Sequence, residues 1–287
     1  MRPFAPGSVL RKYLPFTRGV LQESLTYRFR FVFWLLFEVF YLVIAYFLWQ
    51  GVYSAHATTQ GIAMVDVTIG GYTFGMMILY VFFERIVAGL TNMSAANFIE
   101  DDIRDGNIAM RLIKPLDYRV QLFFQSFGFA VINCIIFALP LTIGLVVFGS
   151  ASGLPFSLDF ASAIMTFFAI IFAGIINFLV SFAFGMIIFL TLNSFGMWQL
   201  KEAVERILSG GLIPITLFPL WLRVISGFLP FAQMRFVPVT FLLGTYNDDL
   251  AGGLTALAVQ IFWMALLFIL TTLAWRRVTR RIVVQGG

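Results

Sequence analysis

Long apolar runs without a single charged residue recur along this chain. No Asp, Glu, Lys or Arg occurs in 120–158 or in 160–200. A helix crosses the hydrocarbon core of a bilayer with about 20 apolar residues, so both runs are long enough to cross it. Only 11% of the 287 residues are charged, whereas roughly a quarter of a soluble domain is charged. The chain is therefore an integral membrane protein, and because its 35 Phe residues are spread along its length, a soluble domain with one anchoring helix is excluded.

The net charge of +5 indicates membrane topology and not nucleic-acid binding, because the basic residues lie between the apolar runs. Cys134 is the single cysteine and His56 the single histidine. With one of each, far apart in sequence, we expect no zinc site, no disulfide framework and no Cys/His catalytic pair. We also expect no cleavable signal peptide, since the first 30 residues hold six basic residues and no uninterrupted apolar core.

Charged residues and turn-forming clusters divide the chain into six predicted membrane spans, the pattern of an all-α membrane protein. The Gly/Ser/Pro-rich cluster 149–155 ends the third span, and 191–196 is the predicted bend after the fourth. Residues 222–249 are interrupted by Pro and Gly into pieces too short to cross a bilayer, so we expect re-entrant helices there. The predicted spans are 31–50, 67–90, 120–148, 161–190, 197–221 and 250–275.

The distribution of Lys and Arg predicts how these spans are oriented. Six spans place both termini on one side of the membrane. Of the 19 Lys and Arg residues, all except Arg223 and Arg235 fall on that side. Because positively charged loops remain in the cytoplasm, we expect both termini to be cytoplasmic and the segment 222–249 to lie at the outer face.

The N-terminal residues 8–27 have the pattern of an amphipathic helix. Leucines recur at helical spacing, and basic residues fall elsewhere on the helix surface: Leu10, Leu14, Leu21 and Leu25, against Arg11, Lys12 and Arg18. Such a helix is expected to lie in the cytoplasmic interface of the membrane. A frayed basic tail that only fixes the topology is the alternative.

The longest cytoplasmic loop, 94–119, mixes acidic, basic and apolar residues. A short helix is predicted to run through Asp102 and to close at Gly106, which can adopt the left-handed conformation of a helix C′ residue. Mixed charge with a few apolar anchors is typical of a surface that docks onto another protein. The charge pattern leaves a solvated connecting loop open as the alternative.

The residues from Asp101 to Asp105 spell DDxxD, a pattern whose carboxylates hold magnesium-pyrophosphate in prenyl-transferring enzymes. A magnesium-dependent membrane prenyl- or phosphotransferase is therefore an alternative function. Such an enzyme needs a second acidic motif that faces the first. The other adjacent acidic pair, Asp248 and Asp249, falls on the opposite side of the membrane in this topology, which weighs against the enzyme.

Four polar residues lie within the predicted spans, namely Glu38, Asn133, Asn177 and Gln260. An ionisable group at membrane depth is a functional candidate by default, so Glu38 either faces a hydrophilic path or pairs with a basic group. Amides are typical of interhelical hydrogen bonds, although Asn133 and Asn177 are also candidates, with Glu38, for lining a translocation path. None of the three Lys residues follows a Gly, so this sequence contains no GxxxxGK[ST] loop for ATP hydrolysis.

The order of several motifs is similar to that of one family. The loop after span two combines an acidic helix, an R-x-G triplet and a Lys-Pro pair, and the region after span four is punctuated by Gly and Pro. The residues are Glu100-Asp101-Asp102, Arg104-Asp105-Gly106 and Lys114-Pro115, then Leu208-Ser209-Gly210-Gly211-Leu212-Ile213-Pro214, Leu217-Phe218-Pro219, Leu229-Pro230-Phe231, Pro238, Gly244 and Gln285-Gly286-Gly287. Over nearly its whole length the chain resembles the permease subunits of ABC transporters of the ABC-2 exporter type, above all a branch of bacterial permeases.

The resemblance implies a six-span permease of the bacterial plasma (inner) membrane, with two permease chains, identical or related, and two separate ATPase subunits. The loop after span two would contain the coupling helix that docks on the ATPase. The implied interface residues are Phe98, Glu100, Asp101, Asp102, Arg104, Gly106, Lys114 and Pro115. No catalytic residue, metal or cofactor is implied in this chain, since ATP and magnesium would bind to the partner subunit. A structural or assembly protein without transport remains a third hypothesis, and the scarcity of charge in the spans favours an amphipathic or lipid-like cargo.

Overall fold

The computed structural model describes residues 6–26, 28–152, 159–191 and 194–281, which are almost entirely helical. The helices of the first half are α1 (Pro6–Thr26), α2 (Arg28–Gln60), α3 (Phe74–Thr91), α4 (Ala95–Arg104), α5 (Ile108–Ile113), α6 (Tyr118–Asn133) and α7 (Leu139–Ser152). Those of the second half are α8 (Phe160–Thr191), α9 (Ser194–Leu208), α10 (Leu220–Gly227), α11 (Phe236–Leu242) and α12 (Leu250–Arg281). Two short strands, β1 (Thr68–Ile69) and β2 (Tyr72–Thr73), form an antiparallel hairpin before α3.

Five helical stretches among the described residues are long and apolar enough to cross a membrane. They are Phe31–Gln60, Phe74–Thr91, Tyr118–Val147, Phe160–Ile188 and Leu250–Thr279. These stretches correspond to predicted spans one, two, three, four and six, so the all-α, multi-pass membrane fold is confirmed. Parts of the predicted turn and bend (153–155 and 192–193) and the closing residues 285–287 lie outside the described ranges.

The predicted fifth span, 197–221, is not one continuous helix. Helix α9 ends at Leu208 after 15 residues, fewer than the roughly 20 that a crossing needs. Gly210 follows with a φ of +80°, a conformation that ends a helix and favours glycine. Beyond it the chain continues in short pieces, as expected for 222–249: the 3₁₀ turn Ile215–Leu217, α10, the 3₁₀ turn Pro230–Met234 and α11.

Helix α3 begins later than predicted for span two. Residues 67–73 were expected to be helical, but the hairpin occupies 68–73. At its tip Gly70 and Gly71 have positive φ angles of 60° and 88°, as a tight two-residue hairpin turn requires. The helix starts after Thr73, whose side-chain oxygen accepts a hydrogen bond from the Met76 N–H.

Helix α6 passes through a π turn, Cys134–Ala138, directly into α7. In a regular α-helix the ring of Pro140 would clash with the carbonyl of Ile136, four residues earlier. The Leu139 N–H instead bonds to the Cys134 carbonyl, five residues earlier, which is the π pattern. Helix α7 also continues through 149–152, predicted as turn, because each Gly or Ser weakens a helix by only about 1 kcal/mol or less.

Helix α8 lies at the centre of the packing, with α12, α4, α11 and α3 against it. Small residues permit these close approaches, since a Cβ at Gly185 would overlap the side chain of Ile99 on α4. Gln260 of α12 is fully buried and donates to the carbonyls of Ala169 on α8 (3.2 Å) and of Gln233 (2.9 Å). Gln260 therefore makes the interhelical contact expected of a membrane amide.

Helix α1 packs along α6, with a different face from the one predicted to be apolar. The Asp117 N–H donates to the Tyr13 hydroxyl (2.9 Å), and the Thr17 hydroxyl donates to the Phe124 carbonyl (2.7 Å). Leu14 and Leu25, from the predicted apolar stripe, are instead 55% and 63% exposed. One face of the helix thus packs on α6, and another leaves Leu14 and Leu25 exposed.

Candidate functional site

Helix α4 in the predicted docking loop is fixed to α8 by one face. The Ala96 N–H donates to the Ser181 hydroxyl of α8 (3.0 Å), and Ile99 is fully buried against α8 at Gly185. Phe98 is half-buried and packs beside the same apolar cluster. Helix α4 is therefore packed directly on the central helix of the fold.

The outer face of α4 carries paired charges. Arg104 bonds to Asp101 (2.8 Å) and to Asp105 (3.4 Å), and its side chain is 68% exposed. Gly106 has a φ of +70°, so the predicted left-handed residue at the end of this helix is confirmed. With the half-exposed Glu100, these side chains form a mixed-charge surface, which we call the α4 surface (Glu100, Asp101, Arg104 and Asp105).

Asp102 points inward, away from this surface. It is 3% exposed, accepts a hydrogen bond from the Tyr118 hydroxyl (2.9 Å) and pairs with Arg111 (2.8 Å). Burial raises the pKa of Asp102 above its ordinary range, and the Tyr118 hydrogen bond and Arg111 oppose that rise. Asp102 therefore joins α4 to α5 and α6, and its carboxylate is not free to meet a partner protein.

The DDxxD residues are consequently divided between two environments. Asp101 and Asp105 share the Arg104 guanidinium at the surface, whereas Asp102 is buried with Arg111. Among the described residues no group of three or more His, Cys, Asp or Glu side chains is placed to hold a metal ion. Lys114 and Pro115, after α5, are both exposed.

Glu38 of α2 pairs with a basic group, one of its two predicted roles. Its carboxylate lies 3.3 Å from Arg85 of α3, which in turn lies 3.4 Å from Glu84. The Arg85 guanidinium also lies over the Tyr41 ring, 5.0 Å from its centroid. The pair links α2 to α3.

Arg235 bridges two buried carboxylates from distant parts of the chain. Its guanidinium lies 2.8 Å from Glu84 of α3 and 3.2 Å from Glu205 of α9. Glu205 also binds Lys201 (3.0 Å) and accepts a hydrogen bond from Asn177 (3.2 Å). We call the whole set the buried charge network (Glu38, Glu84, Arg85, Asn177, Lys201, Glu205 and Arg235).

Arg235 belongs to the segment 222–249, which the sequence predicts to lie at the outer face. Asn177 lies near the middle of α8, and Glu205 joins Asn177 to Arg235. Arg235 therefore lies inside the helix bundle, close to the middle of α8. A buried charge is costly unless it is paired, so the two carboxylates fix where this segment can lie.

The glycine-rich motif after α9 packs around the same network. The Tyr80 hydroxyl of α3 donates to the Gly210 carbonyl (2.7 Å), and the Phe236 N–H donates to the Ser209 carbonyl (3.1 Å). A Cβ on Gly211 would lie 3.3 Å from the Glu84 carboxylate. Glycines at 210 and 211 thus allow the backbone to approach α3 and Glu84.

Of the predicted path residues, Asn133 is not in the network. Its side chain is 5% exposed and donates to the Phe129 carbonyl of its own helix (3.0 Å). Sequence reasoning missed Glu84, Lys201, Glu205 and Arg235 as a group. Its one available signal was that each is a charged residue beside or within an apolar stretch, which in a membrane protein suggests pairing.

A comparison with protein families identifies the family to which this chain belongs. A model described as an ABC-2 family transporter protein matches residues 39–286. The chain belongs to the ABC-2 transporter family. No curated protein and no solved structure matches the chain. This ABC-2 protein is therefore a multi-pass membrane component of a transporter, of a family that is generally not enzymatic and normally works with ABC ATPase partners. The matched range includes the α4 surface and the buried charge network except Glu38.

Proposed function

We propose that this ABC-2 protein is the permease subunit of an ATP-driven exporter and that separate ATPase subunits bind the loop 98–118. The observation that carries the proposal is the two-sided character of α4. One side is locked to α8 through Ser181 and Ile99, and the other presents the mixed charges of the α4 surface. Charged residues of both signs suit an interface that must bind with a fixed orientation.

In this mechanism the ATPase subunits close on ATP and push on α4. Because α4 packs on α8, the push tilts α8 and the helices against it. Helix α3, which leads into α4, carries Glu84, so the same movement reaches Arg235 and the re-entrant segment. The path opens between this chain and a second permease chain, identical or related. We propose an amphipathic or lipid-like cargo, in keeping with the apolar spans.

The test is charge reversal on the α4 surface. The triple variant Glu100→Lys/Asp101→Lys/Arg104→Glu is co-expressed with the ABC ATPase that co-purifies with the unaltered chain, and co-purification and transport-coupled ATP hydrolysis are measured. Placing like charges opposite one another costs several kcal/mol, so we expect association to weaken about a hundredfold or more. Asp66→Lys serves as the control, because Asp66 is an exposed residue before the β1–β2 hairpin. This variant should leave association unchanged.

Intact ATPase binding and coupling in the triple variant would show that the docking assignment is wrong. A chain that purifies without any ATPase and binds magnesium-pyrophosphate through Asp101 and Asp105 would instead favour the membrane transferase. Equal losses in the triple variant and in Asp66→Lys would indicate a general folding defect and contradict a specific role for α4.

A further inference from the structure

A cleft of about 290 Å³ lies between α1, α5 and α6, and no α4 residue lines it. Two cationic side chains and three amides supply its polar lining: Arg111 and Lys114, and Asn107, Gln121 and Gln125. No carboxylate lines it. Cations and amide N–H groups that converge on one space attract an anion.

Two of these side chains have donor groups without a partner among the residues that the structure describes. Gln121 is only 2% exposed, yet its side-chain amide makes no hydrogen bond within the described part of the chain. Buried amides are normally hydrogen-bonded, so this one, which faces the cleft, is suited to a ligand there. Lys114 is exposed and makes no ion pair with any described residue.

Arg111 is already held in place for such a ligand. Its Nε lies 2.8 Å from Asp102, and its Nη1 donates to the Gln125 side-chain oxygen (3.3 Å). These contacts fix the guanidinium and leave its remaining N–H groups for the cleft. Because Asp102 balances the charge of Arg111, the cleft has a net charge close to that of Lys114 alone. It therefore matches an anion with a single negative charge.

We propose that this cleft binds the phosphodiester of an anionic membrane phospholipid. A phosphodiester carries one negative charge and offers several acceptor oxygens to Lys114, Arg111 and Gln121. Basic pockets between helices on the cytoplasmic side of membrane proteins bind headgroups of this kind. Since Phe16 of α1 lines the cleft together with residues of α5, the bound headgroup would also lie between the N-terminal helix and the loop that follows α4.

The surroundings of the cleft favour a lipid over a soluble phosphate. Met110, which lines the cleft, and Ile113, beside Lys114 in the sequence, are 67% and 81% exposed. Exposed apolar side chains beside basic ones are typical of a helix in the membrane interface. The acyl chains of a lipid would cover these side chains, whereas a free phosphate would leave them in water.

The experiment measures lipid binding to the full-length chain, purified in mild detergent without an ATPase, by native mass spectrometry. Phosphatidylglycerol and phosphatidylcholine are supplied at equal concentrations. We expect one phosphatidylglycerol to be retained in preference to phosphatidylcholine. Lys114→Gln and Gln121→Leu should each weaken that retention about tenfold, as loss of a hydrogen bond to a charged group does. Lys114 is exposed, so its variant tests the site without disturbing a buried contact.

Arg277→Gln is the matched control, because Arg277 is an exposed basic residue of α12 outside the cleft; its retention of phosphatidylglycerol should equal that of the unaltered chain. Retention that Lys114→Gln does not reduce, or equal retention of the two lipids, would overturn the proposal. Displacement of the lipid by millimolar inorganic phosphate would assign the cleft to a free phosphate and overturn the lipid. Since no ATPase is present, these results are independent of the proposed exporter function.

Discussion

The α4 surface and the buried charge network are built from the same types of acidic and basic residue, but the first is exposed and the second is buried. The Arg104 and Asp101 side chains are 68% and 52% exposed, whereas those of Arg235 and Glu84 are 15% and 3% exposed. Water screens the first pair, which leaves its charges available to another protein. The second pair is removed from solvent, and each member depends on the other. Position, and not residue type, therefore separates an exposed charged surface from a buried structural junction.

The largest expected effect comes from Arg235→Ala. It leaves Glu84 and Glu205 buried without their shared cation, a change that costs about 3–5 kcal/mol. Arg104→Ala, which removes the exposed counterpart, is expected to cost less than about 1 kcal/mol. Thermal unfolding of the two variants in detergent measures the difference. Similar shifts in melting temperature would show that the two environments do not differ as described.

Gly185→Ala tests whether apolar packing, and not surface charge, positions α4. The new Cβ would overlap Ile99, and overpacking of this kind costs about 1–3 kcal/mol. Gly174→Ala on the same helix is the control, because its Cβ would lie 3.5 Å from the Met93 sulfur, an ordinary contact. The double variant Ile99→Ala/Gly185→Ala should lose less stability than the two single losses added together. Strict additivity would contradict the contact.

The smallest expected effect on stability comes from Asp102, and it is seen as a dependence of stability on pH. Burial raises the pKa of this carboxyl in the folded chain above its ordinary value of 3.8, so the unfolded chain loses this proton at a lower pH. Stability should therefore fall as pH rises from about 4 through the raised pKa and then level off. Asp102→Asn removes this step. Melting temperatures of both proteins across this range measure it, and parallel curves would refute it.

Features that depend on nearby residues were predictable from the sequence. Apolar length gave five of the helices that can cross a membrane, and Gly106 gave the end of α4. The hairpin at Gly70 and Gly71 and the break at Gly210 were missed, although adjacent glycines marked both places. In both places the flanking residues are apolar, so the sequence pattern predicted a continuous membrane span although the glycines marked a turn.

Features that depend on distant pairing were not predictable. Arg235 and Glu84 are 151 residues apart, and no periodicity in a single sequence indicates that they meet. Asp102 is an intermediate case, since it follows Ile99 by three residues and so lies on the same helical face. That spacing predicts that Asp102 faces the interior, but it does not identify the partners of Asp102, Tyr118 and Arg111, which belong to other helices.

The π turn before Pro140 sets how the continuous helix formed by α6 and α7 faces its neighbours. One extra residue in a turn rotates everything beyond it by about 100°, the angle between successive residues of a helix. Helix α6 before the turn packs mainly on α1 and also touches α3, while the turn and α7 beyond it pack on α3. A deletion of one residue between 134 and 138 would turn α7 back by that angle and direct its α3-facing side chains toward lipid.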